Sequence, residues 1–443
     1  MNKIISIILS FLLLSIGFTT VTTIAESSTI LLNSKNKIYV GGSGPGNYTS
    51  IQTAINDVSP GGTVYVYNGT YYEHHIIIEK KICLLGENKS STIINVVGKH
   101  QGIQIYYDEV FVKGFTIRNN SYAFDWWCNS LLEVNKSKNV RIEDNIFIND
   151  YVNPLKDNYI CGICLLQSRG CILRNNSFYG CSLVIFYFDH FDTEDSGLRY
   201  FIHDVDTSNT VNGKPVYYYK NCENVIVPSN AGQVIFININ NSKISGYKGF
   251  NTALNIQLIH SNDNIIENIK INNSLSGIWL HYSNYNTFTN ISVNSTACSL
   301  FLWQSKYNTF QNNILPSITL EQHSDHNVFI KNHIPSGRNF KFSLQLETSD
   351  FNVFKCNNIY GRNFIVGMIT KENKSVQLWD SHFTIWDKNY WGDCLREKNK
   401  YVTKYFPKII VGLHRGIYVR FPKINFPSII NFDWHPAIEP YEI

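Results

Sequence analysis

The sequence predicts an all-β solenoid, a right-handed parallel β-helix of roughly 22-residue coils, and three observations carry that expectation. From residue 256 the chain repeats itself, with Ile256-Gln257-Leu258-Ile259-His260-Ser261, Ile278-Trp279-Leu280-His281-Tyr282-Ser283 and Leu300-Phe301-Leu302-Trp303-Gln304-Ser305 as successive copies. An Asn recurs in phase at 264, 286, 308, 327 and 352, in steps of 22, 22, 19 and 25 residues. Apolar residues alternate over short runs, such as Ile278 with Leu280 or Leu300 with Leu302, and no helical period separates them.

A fixed period built from short strands means a stacked array, because a single coil cannot bury its own apolar side chains. Coils about 4.8 Å apart pair each strand with its equivalent above and below. The recurrent Asn and Ser fall at the bends, where Asn tolerates turn conformations and its amide can bond along the axis. Looser copies, around Val140-Arg141-Ile142-Glu143-Asp144 and Cys171-Ile172-Leu173-Arg174-Asn175, extend the array towards the N-terminus.

The ends read differently. Lys3 followed by the apolar run Ile4 to Phe18 and by Thr23-Ile24-Ala25 has the pattern of a cleaved secretory signal. The run is shorter than the ~20 residues that span a bilayer, and no later segment is apolar enough to do so. A short amphipathic capping helix is expected from Ser50, with Ile51, Ala54, Ile55 and Val58 on one face and Pro60-Gly61-Gly62 as its stop. The expected organisation is a signal peptide over 1–25, a linker over 26–37, and an N-terminal cap with the first strand over 38–75. The β-helix follows over 76–395, with a polar insertion at 186–219, and an irregular C-terminal cap over 396–443.

Charged residues make up 16% of the chain, and 38 basic against 34 acidic residues leave a net +4 with no basic stripe, which excludes nucleic acid as a partner. Ten cysteines permit disulfides in an exported chain; Cys161 and Cys164 read as buried small residues or a local disulfide, since a metal site lacks a second ligand pair. Sequons such as Asn68-Gly69-Thr70 and Asn294-Ser295-Thr296 leave glycosylation of exposed copies open.

Four segments carry a family resemblance. The run from Ile38 to Glu73 resembles the N-terminal cap of many β-helices, pectin esterases included, and the stretch from Asp206 to Tyr218 is similar to a loop of NosD-like proteins. Asn389-Tyr390-Trp391-Gly392-Asp393 and Glu439-Pro440-Tyr441 look like the end-cap of archaeal surface members. On these residues the chain resembles the right-handed β-helix family named for the periplasmic copper-binding protein NosD, which shares its repeat with carbohydrate-binding proteins and sugar hydrolases. The resemblance implies the fold and an extracytoplasmic setting, and leaves the activity open.

Two regions are candidate sites. The insertion carries Asp189, His190, Asp192, Glu194, Asp195, Arg199, His203, Asp204, Asp206 and Lys214. Asp189, Asp192, Asp195 and His203 are the residues to act as acid and base on a glycosidic bond; alternatively the carboxylates hold Ca²⁺ while Arg199 or Lys214 supports a uronate, or the segment is a solvated loop. The Asn-Thr-Asp, Asp-Asp and Gly-His-Gly motifs of polygalacturonase-like helices are absent, as are the pectin-esterase catalytic motifs. The second region is an aromatic strip. With Ile278, Leu280, Leu300 and Leu302 inward, Trp279, His281, Phe301 and Trp303 point outward on adjacent coils, extended by Gln257, Gln345 and Glu347. Such rings hold sugars, unless a loop or the C-terminal cap folds over them. For copper, Met1 and Met368 are the only methionines, and His323, His326 and His333 need neighbouring coils to complete a site, so no dedicated metal site is expected.

The expectation is therefore a secreted or cell-surface protein that binds glycan or builds the envelope without catalysis, monomeric because its caps oppose open-ended stacking. A polysaccharide lyase or glycoside hydrolase with its site in the insertion is the alternative, and a periplasmic metal accessory protein a third reading.

Overall fold

The computed structural model describes residues 36–96, 101–119, 129–150, 160–187, 197–335, 342–360, 374–379, 383–392, 408–413, 427–433, 437 and 440–443. The expected signal peptide and most of the expected C-terminal cap lie outside these residues. Among the described residues, no helix is long and apolar enough to cross a membrane.

The fold is a parallel β-helix. Its N-terminal cap holds the helix Ile51–Asp57, whose Ile51, Ala54 and Ile55, with Val58 behind them, are buried as the periodicity requires. The Ser50 hydroxyl accepts from the Thr53 N–H at 3.3 Å, and the Glu73 carboxylate accepts from the Ile51 and Gln52 N–H groups at 2.7 and 3.1 Å. Those backbone donors would otherwise be orphans at the helix start.

Three parallel sheets then stack coil upon coil. One contains Thr63–Val66, Cys83–Gly86, Phe111–Lys113, Arg141–Glu143, Ile172–Arg174 and Asp204–Val205. The second contains Ile76–Ile78, Ile103–Ile105, Ser130–Asn135, Cys161–Leu166 and Leu183–Phe186, and the third ends on Ser177–Tyr179 and Thr210–Val211. Along the inward column Val64, Leu84, Val112, Ile142, Leu173 and Val205, which are mutual register partners, the residue steps are 20, 28, 30, 31 and 32. After the first step, these coils are thus longer than the 22-residue unit that holds further on.

The array is not one continuous stack, as expected for 76–395, but two. Asn212 and Gly213 both have positive φ, 49° and 78°, and form a two-residue hairpin in which Val211 pairs antiparallel with Lys214. The chain then begins a second stack from Lys214–Glu223, Gln233–Asn240 and Leu254–Ile259, continuing into the 17-residue strands Ile265–His281 and Thr287–Trp303. The segment expected to be a polar insertion includes Asp204–Val205 and Thr210–Val211, which add strands to the first stack.

The second stack covers the end of the first. The last strand of the second sheet, Leu183–Phe186, would leave its outer edge unpaired, an invitation to association. Instead Gln233 Nε2 donates to Leu183 O at 2.6 Å, Gln257 Nε2 to Ile185 O at 2.7 Å, and Leu254 N to Ser182 Oγ at 3.0 Å. Strand alternation divides the work: Ile235, Ile237 and Ile259 pack into the core of the first stack, while Val234, Phe236 and Leu258 pack into that of the second.

Ladders hold the second stack in register. Phe288, Phe310, Phe329, Phe354 and Trp386 stack in the interior with centroids 4.6, 4.7, 4.6 and 4.6 Å apart. At one bend Asn264, Asn286, Asn308 and Asn327 pass amide hydrogen bonds along the axis at 3.0 to 3.1 Å. A second ladder, Asn313, Asn332, Asn357 and Asn389, ends on the buried carboxylate of Asp433, which also accepts from Trp391 Nε1 at 3.0 Å.

Candidate functional site

Of the acidic cluster read from the sequence, Asp189, Asp192 and Asp195 lie outside the described residues, as do His190 and Glu194. The described members are engaged in structure. His203 is buried; its Nδ1 accepts from the Cys171 N–H at 3.3 Å and its Nε2 lies 3.1 Å from Tyr200 O. Burial pushes the imidazole down to about 3, so at neutral pH it is an uncharged strut between two coils. Asp204 and Asp206 both pair with Arg174, at 2.5 and 3.1 Å.

The aromatic strip stands on the outer side of its sheet, as alternation dictates, with Trp279 in register with Phe301 and His281 with Trp303. It is nevertheless covered. His281 and Trp303 are buried, Trp279 and Phe301 are half-buried, and Gln257 at the head of the strip is buried. Phe186, from the last strand of the first stack, packs edge-on against Trp279 and His281, both at 5.7 Å, and Phe201 sits 6.3 Å from His281. The physical reason is the junction: the outer face that a solitary solenoid would offer to solvent is the face on which the first stack ends. Trp279 Nε1, both His281 ring nitrogens and Gln257 Oε1 are buried without a hydrogen-bond partner.

Of the histidines considered for copper, His326 is sandwiched in a surface stack between Tyr307 and Phe351, at 4.9 and 5.1 Å, and among the described residues no group of three or more His, Cys, Asp or Glu side chains is placed to hold an ion. Cys161, Cys164, Cys171 and Cys181 are buried thiols, and burial pushes the Cys171 and Cys181 thiols up to about 12, which makes them inert at neutral pH.

What the first stack does offer is a cavity of about 420 Å³ at the bend that follows its second sheet. Lys136, Ser137 and Lys138 follow the strand Ser130–Asn135; Gln167 and Arg169 follow Cys161–Leu166; Arg199 and Tyr200 come from the 3₁₀ turn Leu198–Phe201. Lys136 and Gln167 turn the corner with φ of 51° and 48°, and the Lys136 N–H donates to Leu166 O at 2.9 Å, which locks the two bends together. Among the described residues, four cations line the cavity and no carboxylate does. Lys138 approaches Asp108 only loosely, at 3.9 Å, while the Arg199 guanidinium lies 5.0 Å above the Tyr200 ring. Lys136 and Arg169 have no carboxylate partner among the described residues. Cations so placed can make charge-assisted hydrogen bonds to carboxylate, sulfate or phosphate groups.

Beside it, on the outer face of the same sheet, the Glu133 carboxylate is buried and accepts from Gln101 Nε2 and Asn135 Nδ2, both at 2.8 Å. Neither this group nor the cavity was read from the sequence. The signal was present as a coil step: Lys138 and Arg169 are 31 residues apart, as are Lys136 and Gln167, so they share a phase. Only the 22-residue period was legible, and at that period these residues are unrelated.

Residues 207–396 match the NosD family model. That family is described as periplasmic copper-binding protein (NosD), and the match begins just before the hairpin at Asn212, so it spans most of the second stack. No curated protein matches the chain. Among solved structures, a GH136 lacto-N-biosidase from Eubacterium ramulus is 12% identical, over 67% of this chain and 64% of that one, with a TM-score of 0.29. A surface adhesin of Streptococcus pneumoniae is 12% identical, over 83% and 88%, with a TM-score of 0.27. A pectin methylesterase in complex with a hexasaccharide is 12% identical, over 78% and 89%, with a TM-score of 0.25. The chain thus spans just under two thirds of the biosidase, and superpositions this loose transfer no activity. The NosD match stands for the fold family, while the cationic cavity lies outside the matched residues, between 136 and 200.

Proposed function

We propose that this is an extracytoplasmic protein that binds glycan without cleaving it, and that the cavity at the bend of the first stack is its binding site. The observation that carries the reading is a cavity whose described lining includes Lys136, Lys138, Arg169 and Arg199 and no carboxylate, on a rigid stacked scaffold. Export is supported by the signal-like N-terminus and by the periplasmic setting in the description of the matched family. Binding without cleavage is supported by the described lining residues, which include neither a carboxylate nor an imidazole to move a proton.

The test is a glycan array on the secreted protein, with product release followed by mass spectrometry in the same wells. We expect binding with no product, unchanged by EDTA, because the cations meet the ligand directly. Lys138→Glu with Arg169→Glu should weaken binding at least about 100-fold, since each charge-assisted contact contributes roughly 1.5–3 kcal/mol. Product release would establish the lyase or hydrolase reading instead. Binding indifferent to the double variant would remove the cavity as the site.

A further inference from the structure

We infer that the chain is itself a glycoprotein and that Asn88 is the residue that carries its N-linked oligosaccharide; this rests on the export reading above. The acceptor motif, Asn-X-Ser/Thr, recurs along the chain because the repeat is rich in Asn and Ser, so the motif alone chooses no site. The structure supplies two conditions that do. The carboxamide nitrogen must stand at the surface without an existing partner, and the hydroxyl two residues on must be within reach of a transferase.

Five described copies fail the first condition. Asn47 Nδ2 donates to Gly41 O at 2.6 Å, Asn119 Nδ2 to Asn95 Oδ1 at 2.9 Å, and Asn135 Nδ2 to Glu133 Oε1 at 2.8 Å. Asn175 Nδ2 donates to Asp144 Oδ1 at 2.7 Å and Asn290 Nδ2 to Asn268 Oδ1 at 2.6 Å. Asn240 and Asn272 fail the second, because Ser242 and Ser274, two residues on, are buried. Asn68, Asn88 and Asn294 remain: each is exposed, and its Nδ2 donates to no group among the described residues.

The backbone separates Asn88 from the other two. Residues 89–91 form a turn after the strand Cys83–Gly86, and the Ser90 N–H donates to Asn88 Oδ1 at 2.9 Å, an Asx turn. The exposed Ser90 is thereby folded back beside the carboxamide, and one bend presents both groups of the motif. That bend is fixed from within. The Ser91 N–H donates to Asn88 O at 3.0 Å, the Thr116 hydroxyl donates to Lys89 O at 2.5 Å, and Lys89 Nζ lies 2.6 Å from the Asp144 carboxylate. Asn68 instead has its Oδ1 clamped by the Ser91 and Thr92 hydroxyls, at 2.7 and 3.2 Å, rather than by its own motif. Asn294 lies inside the strand Thr287–Trp303, where the residue two positions on stands roughly 6.6 Å further along.

The donor is a lipid-linked oligosaccharide. The bond between C1 of its first sugar and the lipid phosphate oxygen breaks, and the phosphate leaves with the electron pair. C1 bonds to Asn88 Nδ2, which gives up one proton. The bend at Asn88 joins the first sheet to the third, whereas the cationic cavity follows the second sheet. Glycan binding therefore reports on the cavity and peptide mass on Asn88, separately.

The experiment is peptide mass spectrometry of the full protein recovered from the medium or envelope of the cells that make it, beside Asn88→Gln, Ser90→Ala and Ser90→Thr. The peptide containing Asn88 should carry an oligosaccharide in most molecules, with lower occupancy at Asn68 and Asn294 and none at Asn47, Asn135, Asn175 or Asn290. Asn88→Gln and Ser90→Ala should each abolish the added mass, and Ser90→Thr should retain it. Ser90→Ala keeps the backbone N–H of the turn, so its loss of mass reads the motif and not the fold. An exported chain with Asn88 bare, or with oligosaccharide on another described copy in its place, would overturn the inference and leave the glycan-binding reading standing. A chain that stays in the cytoplasm would remove the export reading and the inference with it.

Discussion

Asn308→Ala will lower the stability of the second stack by about 4 kcal/mol, whereas Asn294→Ala will change it by less than about 0.5. The first figure follows from what the Asn308 amide does inside the bend. Its Oδ1 accepts from Asn286 N at 2.9 Å and from Asn286 Nδ2 at 3.0 Å, and its Nδ2 donates to Ser283 O at 2.9 Å and to Asn327 Oδ1 at 3.1 Å. Truncation leaves a backbone N–H and a backbone C=O buried with no partner, each costing about 1–3 kcal/mol, and opens a small gap. Asn294 is exposed on the outer face of its strand, so its loss strands nothing. Urea unfolding, with hydrogen exchange at Asn286 and Ser305 to localise the loss, measures the difference. Equal effects of the two substitutions would mean that the ladder contributes no more than surface Asn does. Asn308→Asp should fare as badly as alanine: a carboxylate can still accept from Asn286 but cannot donate to Ser283 O, and it buries a charge.

That ladder is also why so much of the fold was legible. Asn at 264, 286, 308, 327 and 352 keeps phase because each amide must meet the next, and the phase prints the period on the sequence. The capping helix was readable for a similar reason, since Ile51, Ala54 and Ile55 each have one place to go. The division into two stacks was not readable. Its local sign, Asn212-Gly213, is a two-residue hairpin signal embedded in a polar stretch, and its consequence lies in pairs such as Gln257 with Ile185, 72 residues apart. The strip Trp279, His281, Phe301 and Trp303 was correctly placed on the outer side of its sheet by alternation, but alternation cannot say what lies against that side. Here Phe186 and Phe201 do. The cationic cavity escaped for a third reason: first-stack coils lengthen from 20 to 32 residues, so Lys138, Arg169 and Arg199 share a face without sharing a fixed spacing.

Lowering the pH from 7 to 5 will destabilise the junction between the stacks by about 2 kcal/mol for each of His203 and His281, about 4 in all. Burial pushes both imidazoles down to about 3 in the folded chain, the nearby Lys220 adding to the effect at His203 and His260 at His281. Each ring therefore stays neutral in the fold while the unfolded chain takes up a proton below its ordinary value near 6.5. The unfolded state then binds more protons, so the stability these residues contribute is fully present above about pH 6.5 and drains away as the pH falls towards 3. The two histidines differ in what replacement does. His203 Nδ1 accepts from the Cys171 N–H and its Nε2 donates to Tyr200 O, so His203→Phe should cost about 1–3 kcal/mol at pH 7 by orphaning both backbone groups. His281 has no partner for either ring nitrogen and is packed among Phe186, Phe201 and Phe301, so His281→Phe should stabilise the protein by about 1 kcal/mol or more at pH 7. It should also halve the loss between pH 7 and pH 5, since one of the two protonation sites is gone. Thermal or urea unfolding of the wild type and both variants at the two pH values decides it. An undiminished pH slope in His281→Phe would mean that this imidazole is not held neutral at the junction, and that the face it lines is open to water, as the sequence alone had suggested.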